Sequence, residues 1–310
     1  MNPQKPTPIL TGPTASGKSG IALELAKELK NKNQTLEIIN ADSIQVYREF
    51  NIGSAKPTAE EQAFTPHHLI DILAPAETFT AGDFIRAVEP MIAQVRARGN
   101  HPIIVGGTGF YLKALLYGMW DAPPAQPELR AELEKLSDDE LHEKLRKLDP
   151  KSAARIHEHD RYRLTRAIEI SQTTGKPLDE LERGTAPTPN PAYQLFLIDR
   201  EDLDTRIASR TSTMLEQGFV EEVKRIRAQT PDAPALNSVG YRQVVDYLDG
   251  KTPPGRKLKP GLQGLEEEIT LATRQLVKKQ RTWFRGQTEG QWFMLDRDLN
   301  NLKTELRALL

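Results

Sequence analysis

Gly12-Pro13-Thr14-Ala15-Ser16-Gly17-Lys18-Ser19 fits G-x-x-x-x-G-K-[ST], the phosphate-binding loop. Its glycines permit backbone angles that turn several N–H groups onto phosphate oxygens. Lys18 adds a mobile positive charge, and the Ser19 hydroxyl is a Mg²⁺ ligand type. A second candidate is Asp42 in Ala41-Asp42-Ser43-Ile44-Gln45-Val46-Tyr47. It reads equally as a helix N-cap and as a catalytic carboxylate. A third is Gly106-Gly107-Thr108 after the apolar run Pro102–Val105. In hydrolytic P-loop enzymes such a strand ends in an Asp that helps hold Mg²⁺. Here it ends in glycines and a hydroxyl, which counts against an ordinary ATPase.

These groups need a scaffold, and the flanking patterns supply one. Pro8–Thr11 ends a short strand, and residues 19–30 form a helix with Ile21, Ala22, Leu25, Ala26 and Leu29 on one face. Leu36–Asn40 reads as a buried strand and Leu69–Leu73 as another, with a helix over Ala81–Arg98. Strand–loop–helix–strand opens a parallel α/β sheet, whose ligands gather at the carboxyl ends of the strands. After Gly118 the strand signal fades. Pro-rich stretches at 121–127 and 185–191 bracket charged amphipathic helices over 128–148 and 150–173. The chain therefore divides into a core of residues 1–118 and 192–310 and an all-helical insertion at 119–191. Strands at Tyr193–Ile198 and Gln291–Leu295 resume the α/β pattern, and Leu203–Gln217 is a helix with Arg206 and Arg210 one turn apart. That pair is either a solvated face or part of a site. Glu266–Arg285 is a helix whose first turn, Glu266–Glu268, complements its dipole. Arg274, Lys278, Arg281 and Arg285 form a basic stripe beside Trp283 and Phe284, which suits RNA or a solvated helix with core aromatics.

Composition narrows the classes. The 310 residues are 38% hydrophobic and 27% charged, with net charge −1. No run reaches the ~18 apolar residues of a membrane span, and no secretory leader precedes the loop, so the expected compartment is the cytoplasm. The absence of cysteine excludes disulfides, thiolate zinc sites and a cysteine nucleophile. Any nucleic-acid surface must be a local patch. His67-His68 and His157-Glu158-His159 lack zinc-site spacing.

The ordered set is distinctive. Gly12–Ser19, Ala41–Tyr47 and Gly53-Ser-Ala-Lys-Pro57 come first, then Val105-Gly-Gly-Thr-Gly-Phe-Tyr111 and Tyr162-Arg163-Leu164-Thr165-Arg166. Ser238-Val239-Gly240-Tyr241-Arg242, Ala272-Thr-Arg-Gln275 and Lys279-Gln-Arg-Thr-Trp-Phe-Arg285 close it. Nearly the whole chain resembles the bacterial tRNA dimethylallyltransferases. The resemblance implies a nucleotide-kinase-like α/β fold and transfer of a dimethylallyl group from dimethylallyl diphosphate to tRNA. The acceptor is the exocyclic amine of the adenosine just 3′ of the anticodon. It places the diphosphate on Gly12, Thr14, Ala15, Ser16, Gly17, Lys18, Ser19 and Arg210, with Mg²⁺ on Ser19. It makes Asp42 the general base, gives Thr108 the oxygen of the breaking bond, and lets Lys18 stabilise the leaving group.

The same resemblance assigns tRNA contacts to Asp42, Ser43, Ile44, Gln45, Thr108, Arg130 and Tyr162–Arg166. It adds Ser238–Arg242, Arg274, Arg281 and Arg285, and has the helical insertion clasp the anticodon stem-loop. A monomer without membrane attachment is expected. Two features depart from the family's pattern, a long basic Pro/Gly segment at 251–263 and Lys278 where Ala is commoner. Two other classes compete: a small-molecule or nucleotide kinase, and a non-catalytic RNA-binding module. The first leaves the Gly-Gly-Thr strand end unexplained, and the second leaves the phosphate loop idle.

Overall fold

A parallel sheet organises the chain, because its buried strands are nearly continuous apolar runs. The computed structural model describes residues 5–119, 123, 126–181, 188–253, 255 and 258–310. Among the described residues the chain divides into two compact units, Met1–Leu116 with Asn190–Leu310, and Tyr117–Pro189.

The first unit opens with β1 (Thr7–Thr11), α1 (Lys18–Lys30), β2 (Leu36–Asn40), α2 (Ala59–Phe64), β3 (His67–His68), α3 (Ala81–Ala97), β4 (His101–Val105) and α4 (Gly109–Tyr117). The sheet order is β3-β2-β4-β1, continued by β5 (Tyr193–Asp199) and β6 (Gln291–Met294), and every pairing is parallel. The chain leaves β1 for β2 on one side and later crosses to β5 on the other. The loops after β1, β2 and β4 thus open into one crevice, as in other open α/β sheets.

Helix α1 buries Ile21, Ala22, Leu25, Ala26 and Leu29 against Leu10, Leu36, Ile103 and Phe196. Truncating Leu25 there would cost about 2–5 kcal/mol. Helix α14 (Leu295–Leu309) packs Leu302 and Leu306 into the same cluster, and Arg307 pairs with Glu28. A second cluster joins Phe50, Phe219, Tyr241 and Leu265. It lies among α11 (Phe219–Gln229), α12 (Tyr241–Leu248) and α13 (Leu262–Gln287), which follow α10 (Leu203–Glu216).

The Tyr117–Pro189 unit is helical among its described residues: α5 (Pro127–Glu134), α6 (Asp138–Leu148), α7 (Pro150–Arg155), α8 (Arg161–Thr174) and α9 (Leu178–Leu181). Leu133, Leu141, Leu145, Ala153, Leu164 and Ile168 form its own core.

Three expectations change. The strand expected at Leu69–Leu73 is β3 at His67–His68, because Leu69 and Asp71 take left-handed angles (φ 59° and 55°) that end the extended run. The two long insertion helices are each broken, where Ser137 and Asp160 cap new starts. Helix α13 begins a turn before Glu266, so Glu266–Glu268 are not its first turn. The Pro-rich boundaries fall partly outside the described residues, at 121–122, 124–125 and 185–187, as do positions 254 and 256–257 of the basic segment.

Candidate functional site

The crevice holds a cavity of about 590 Å³ lined by Thr14, Ala15, Gly17, Lys18, Ser19, Asp42, Gln45, Gly106, Gly107, Arg206 and Arg210. Several of its walls come from strand ends. The Thr11 hydroxyl donates to Gly106 O at 2.7 Å, joining the ends of β1 and β4. At Gly106 a Cβ would stand 2.2 Å from the Ala41 carbonyl, so only glycine lets the ends of β2 and β4 close.

The phosphate loop is built as its spacing predicts. The amides of Gly17, Lys18 and Ser19, where α1 begins, have no acceptor among the described residues, which is the arrangement that binds anions. Lys18 Nζ donates to Gly12 O at 3.0 Å and Pro13 O at 2.8 Å, leaving one of its three donors. Burial pulls its pKa down from 10.5 to about 8, against the attraction of Asp42 and with a smaller push from Arg210. Burial likewise lowers Arg210, which remains a cation, and its guanidinium lies 3.4 Å from the Thr14 hydroxyl. Arg206 donates to Ala15 O at 2.9 Å and steadies a residue held at φ 62°. The expectation for the loop needs one amendment. Thr14 N–H is taken by Gln280 and Ser16 N–H by Pro13 O, so neither points outward as a phosphate donor. Ser16 is fully buried, with its hydroxyl unpartnered among the described residues.

Asp42 caps a turn rather than a helix, because residues 43–46 turn without entering an α-helix. Its Oδ1 accepts the amides of Ile44 at 2.8 Å and Gln45 at 3.4 Å, which fixes the turn after β2. The carboxylate still lines the cavity. Asn40, buried at the end of β2, staples this turn by bonding Asp42 N, Asp42 O and Leu69 O. Thr108 Oγ1 accepts Ser43 N–H at 2.9 Å, so the hydroxyl proton must be donated elsewhere. Gln45 gives both amide protons to Ser54 O and Ala55 O, which keeps its own oxygen as an acceptor. Ile44 packs at the edge of the second core cluster.

Ser19 is exposed on the cavity, and its hydroxyl makes no hydrogen bond to a described residue. That hydroxyl is a hard oxygen donor of the kind Mg²⁺ takes beside phosphate oxygens and water, and so fits the ion.

The remaining residues with expected tRNA contacts separate by burial. Tyr162 and Arg163 are exposed, at 74% and, for the Arg163 side chain, 73%. Thr165 is half-buried and Val239 is exposed. Leu164 and Tyr241 belong to cores instead, because α8 and α12 turn these faces inward. Arg130 and Arg166 grip the fully buried Glu169, Arg130 in bidentate fashion at 3.0 and 2.9 Å. Burial alone would raise Glu169, and these partners with the Gln126 amide outweigh it and hold it low. Ser238 donates to Ala235 O, Gly240 N–H meets Gln243, and Arg242 pairs with Asp246.

The stripe on α13 is largely tied up. Arg274 pairs with Asp204, and Arg281 makes a two-point bridge at 2.8 and 2.7 Å to Asp199, a carboxylate buried at the end of β5. Arg285 lies over the Trp292 ring, while Lys278 and Lys279 are exposed. Phe284 is core.

Sequence reasoning passed over Asn40, Gln280 and Glu222. Asn40 had a signal, a polar residue closing an apolar strand. Gln280 sits among the basic and aromatic residues of Lys279–Arg285, which mask it. Glu222 had none: it is one of two adjacent acids on α11, yet its buried carboxylate accepts the amides of Asn51, Ile52 and Gly53 and the Tyr241 hydroxyl. Burial first, then Glu222, pushes the Tyr241 phenol far above its usual range.

A parallel sheet with this loop at its β1 end, and with no carboxylate closing β4, defines the P-loop α/β class. The model of the IPP transferase family matches residues 45–287. A tRNA dimethylallyltransferase of Stenotrophomonas maltophilia is 42% identical over 91% of this chain and 90% of its own length. One of Citrifermentans bemidjiense is 42% identical over 92% and 90%. The crystal structure of a tRNA isopentenylpyrophosphate transferase from Staphylococcus epidermidis superposes with TM-score 0.66 at 34% identity, covering 98% of this chain and 99% of that one. A eukaryotic dimethylallyltransferase acting on tRNA superposes with TM-score 0.75 at 25% identity, covering 99% and 78%. The chain belongs to the IPP transferase family.

Proposed function

We propose that the chain transfers a dimethylallyl group from dimethylallyl diphosphate to the exocyclic amine of the adenosine immediately 3′ of the tRNA anticodon, releasing diphosphate. The observation that carries this reading is the cavity itself. Lys18, Arg210 and free loop amides line or face a space that also contains a carboxylate, Asp42, beside a strand end with no metal-binding acid.

The amine nitrogen attacks the allylic C1 of the donor as the C1–O bond breaks, and the electron pair leaves with diphosphate. Asp42 takes the proton from the amine, offsetting the weak nucleophilicity of a lone pair delocalised into the adenine ring; such a base contributes typically ~10²–10⁴-fold. Lys18, Arg210 and the amides at the start of α1 stabilise the growing negative charge. Thr108, oriented by the Ser43 N–H that one of its two lone pairs accepts, donates its proton to the bridging oxygen. When bound, Mg²⁺ on Ser19 neutralises charge on the diphosphate. The Gln45 oxygen and Ser43 orient the base, which must leave the RNA stack to reach the crevice. Tyr162, Arg163, Val239, Arg242 and Arg285 offer exposed contacts for the anticodon stem-loop, the first two from the helical unit. Among the described residues no helix is long and apolar enough to cross a membrane. We infer action in the cytoplasm as a monomer.

The test supplies unmodified tRNA and dimethylallyl diphosphate to the wild type and to Asp42→Asn. Prenylated tRNA from the wild type and a fall of about 10²–10⁴-fold in kcat for the variant are expected. Near-wild-type turnover by Asp42→Asn removes the base. Consumption of ATP without prenylated tRNA replaces the transferase by a kinase.

A further inference from the structure

Gln280 takes no part in the chemistry above, yet it touches both sides of the site. It is half-buried in the C-terminal third of α13. Its Oε1 accepts Thr14 N–H at 2.9 Å, and its Nε2 donates to Gly107 O at 3.2 Å. Thr14 belongs to the loop after β1, and Gly107 follows β4 and precedes Thr108. Only one orientation of the carboxamide serves both partners, because the Thr14 amide needs an acceptor and the Gly107 carbonyl needs a donor. Space is reserved for it. A Cβ on residue 107 would come 3.3 Å from Nε2, tighter than ordinary contact, and Gly107 has none. The bond has a further effect on Thr14. With its amide pinned, its hydroxyl meets the Arg210 guanidinium.

We propose that Gln280 is a positioning residue that sets the diphosphate loop against the strand end carrying Thr108, and so holds the diphosphate and the hydroxyl that meets its bridging oxygen in register. The proposal rests on the transfer reading given above. Gln280 acts through Thr14 on the phosphate loop and through Gly107 on the strand end that presents Thr108, and touches neither substrate. Both halves of the amide are required. Glutamate in its place keeps the shape but turns a second acceptor onto the Gly107 carbonyl. Asparagine keeps both groups but falls one methylene short.

The experiment compares Gln280→Glu, Gln280→Ala and Gln280→Asn with the wild type. It measures kcat and KM for prenyl transfer, affinity for inorganic diphosphate by titration calorimetry, tRNA affinity and the unfolding midpoint. For the Glu and Ala variants kcat should fall about 10–100-fold, the scale of a misplaced reacting pair. Diphosphate affinity should fall about 3–10-fold, the worth of a hydrogen bond. tRNA affinity and the midpoint should stay at wild-type values. Wild-type kcat and diphosphate affinity in all three variants overturn the proposal. So does a loss of activity matched by equal losses of tRNA affinity and midpoint, which marks general packing. If the wild type itself prenylates no tRNA, the transfer reading fails. Gln280 is then judged on diphosphate alone: weakened binding in a folded Gln280→Glu upholds its hold on the loop, and unchanged binding ends it.

Discussion

Lys18 carries two duties that pull against each other. It must be cationic to meet diphosphate, yet burial lowers its pKa to about 8, so that above this pH a growing share of the free protein holds a neutral amine. A diphosphate polyanion beside it restores the cation, so binding draws a proton from solvent at alkaline pH. Diphosphate affinity should therefore weaken above about pH 8, by at most tenfold per pH unit. Calorimetry at pH 8.5 in two buffers of different ionisation heat reads the proton uptake directly. Lys18→Arg, which stays charged, should lack that component, and equal uptake in wild type and variant would refute the assignment. The sign for folding runs oppositely. The buried cation penalises the native state in full below pH 8, and the penalty fades as pH rises from about 8 towards 10.5.

At the scale of elements, α13 looks in sequence like one basic stripe and in structure like a set of brackets. Arg281 ties the helix to the end of β5 through Asp199, and Gln280 ties it to two loops. Arg281→Ala should thus cost about 1–3 kcal/mol in denaturant unfolding, because Asp199 is left buried with its charge unanswered. Arg285→Ala should leave stability within about 1 kcal/mol and reduce the salt slope of tRNA binding by about one phosphate. A stable Arg281→Ala with a flattened salt slope would exchange these roles. This contrast marks how far the sequence could be read. The sheet strands other than β3, with α1, α10 and the phosphate loop, were legible because each depends on local patterning: apolar runs, period-3.6 faces and glycines at fixed offsets. Asp42 was legible as a candidate because the turn after β2 has a recognisable composition. The partners of Arg281, Arg130 and Tyr241 were not. Charge on a helix face looks the same whether it meets solvent or a carboxylate from 82 positions away, and only the packed chain decides which.

For the molecule as a whole, the helical unit leaves and re-enters the core at a single point, where Asn190 N–H bonds Leu116 O at 2.7 Å. It owns a separate apolar cluster and is not needed to complete the sheet. Replacing residues 117–189 by a short Gly/Ser linker should give a core that unfolds cooperatively and binds inorganic diphosphate as the full chain does, while tRNA affinity drops by at least about tenfold, on the scale of several lost phosphate contacts. Loss of diphosphate binding in a folded core would show that the unit supports the loop as well. The strand order has a consequence for how the molecule comes off the ribosome. Strand β1 is central, flanked by β4 and by β5, which lies beyond the helical unit in sequence. At ~5–20 residues per second, one edge of β1 stays unpaired for on the order of 4–18 s while residues 106–193 are made. During that interval the helical unit, with its local contacts, can already be folded. The phosphate loop is among the first segments synthesised, and it is among the last to be built into a working site.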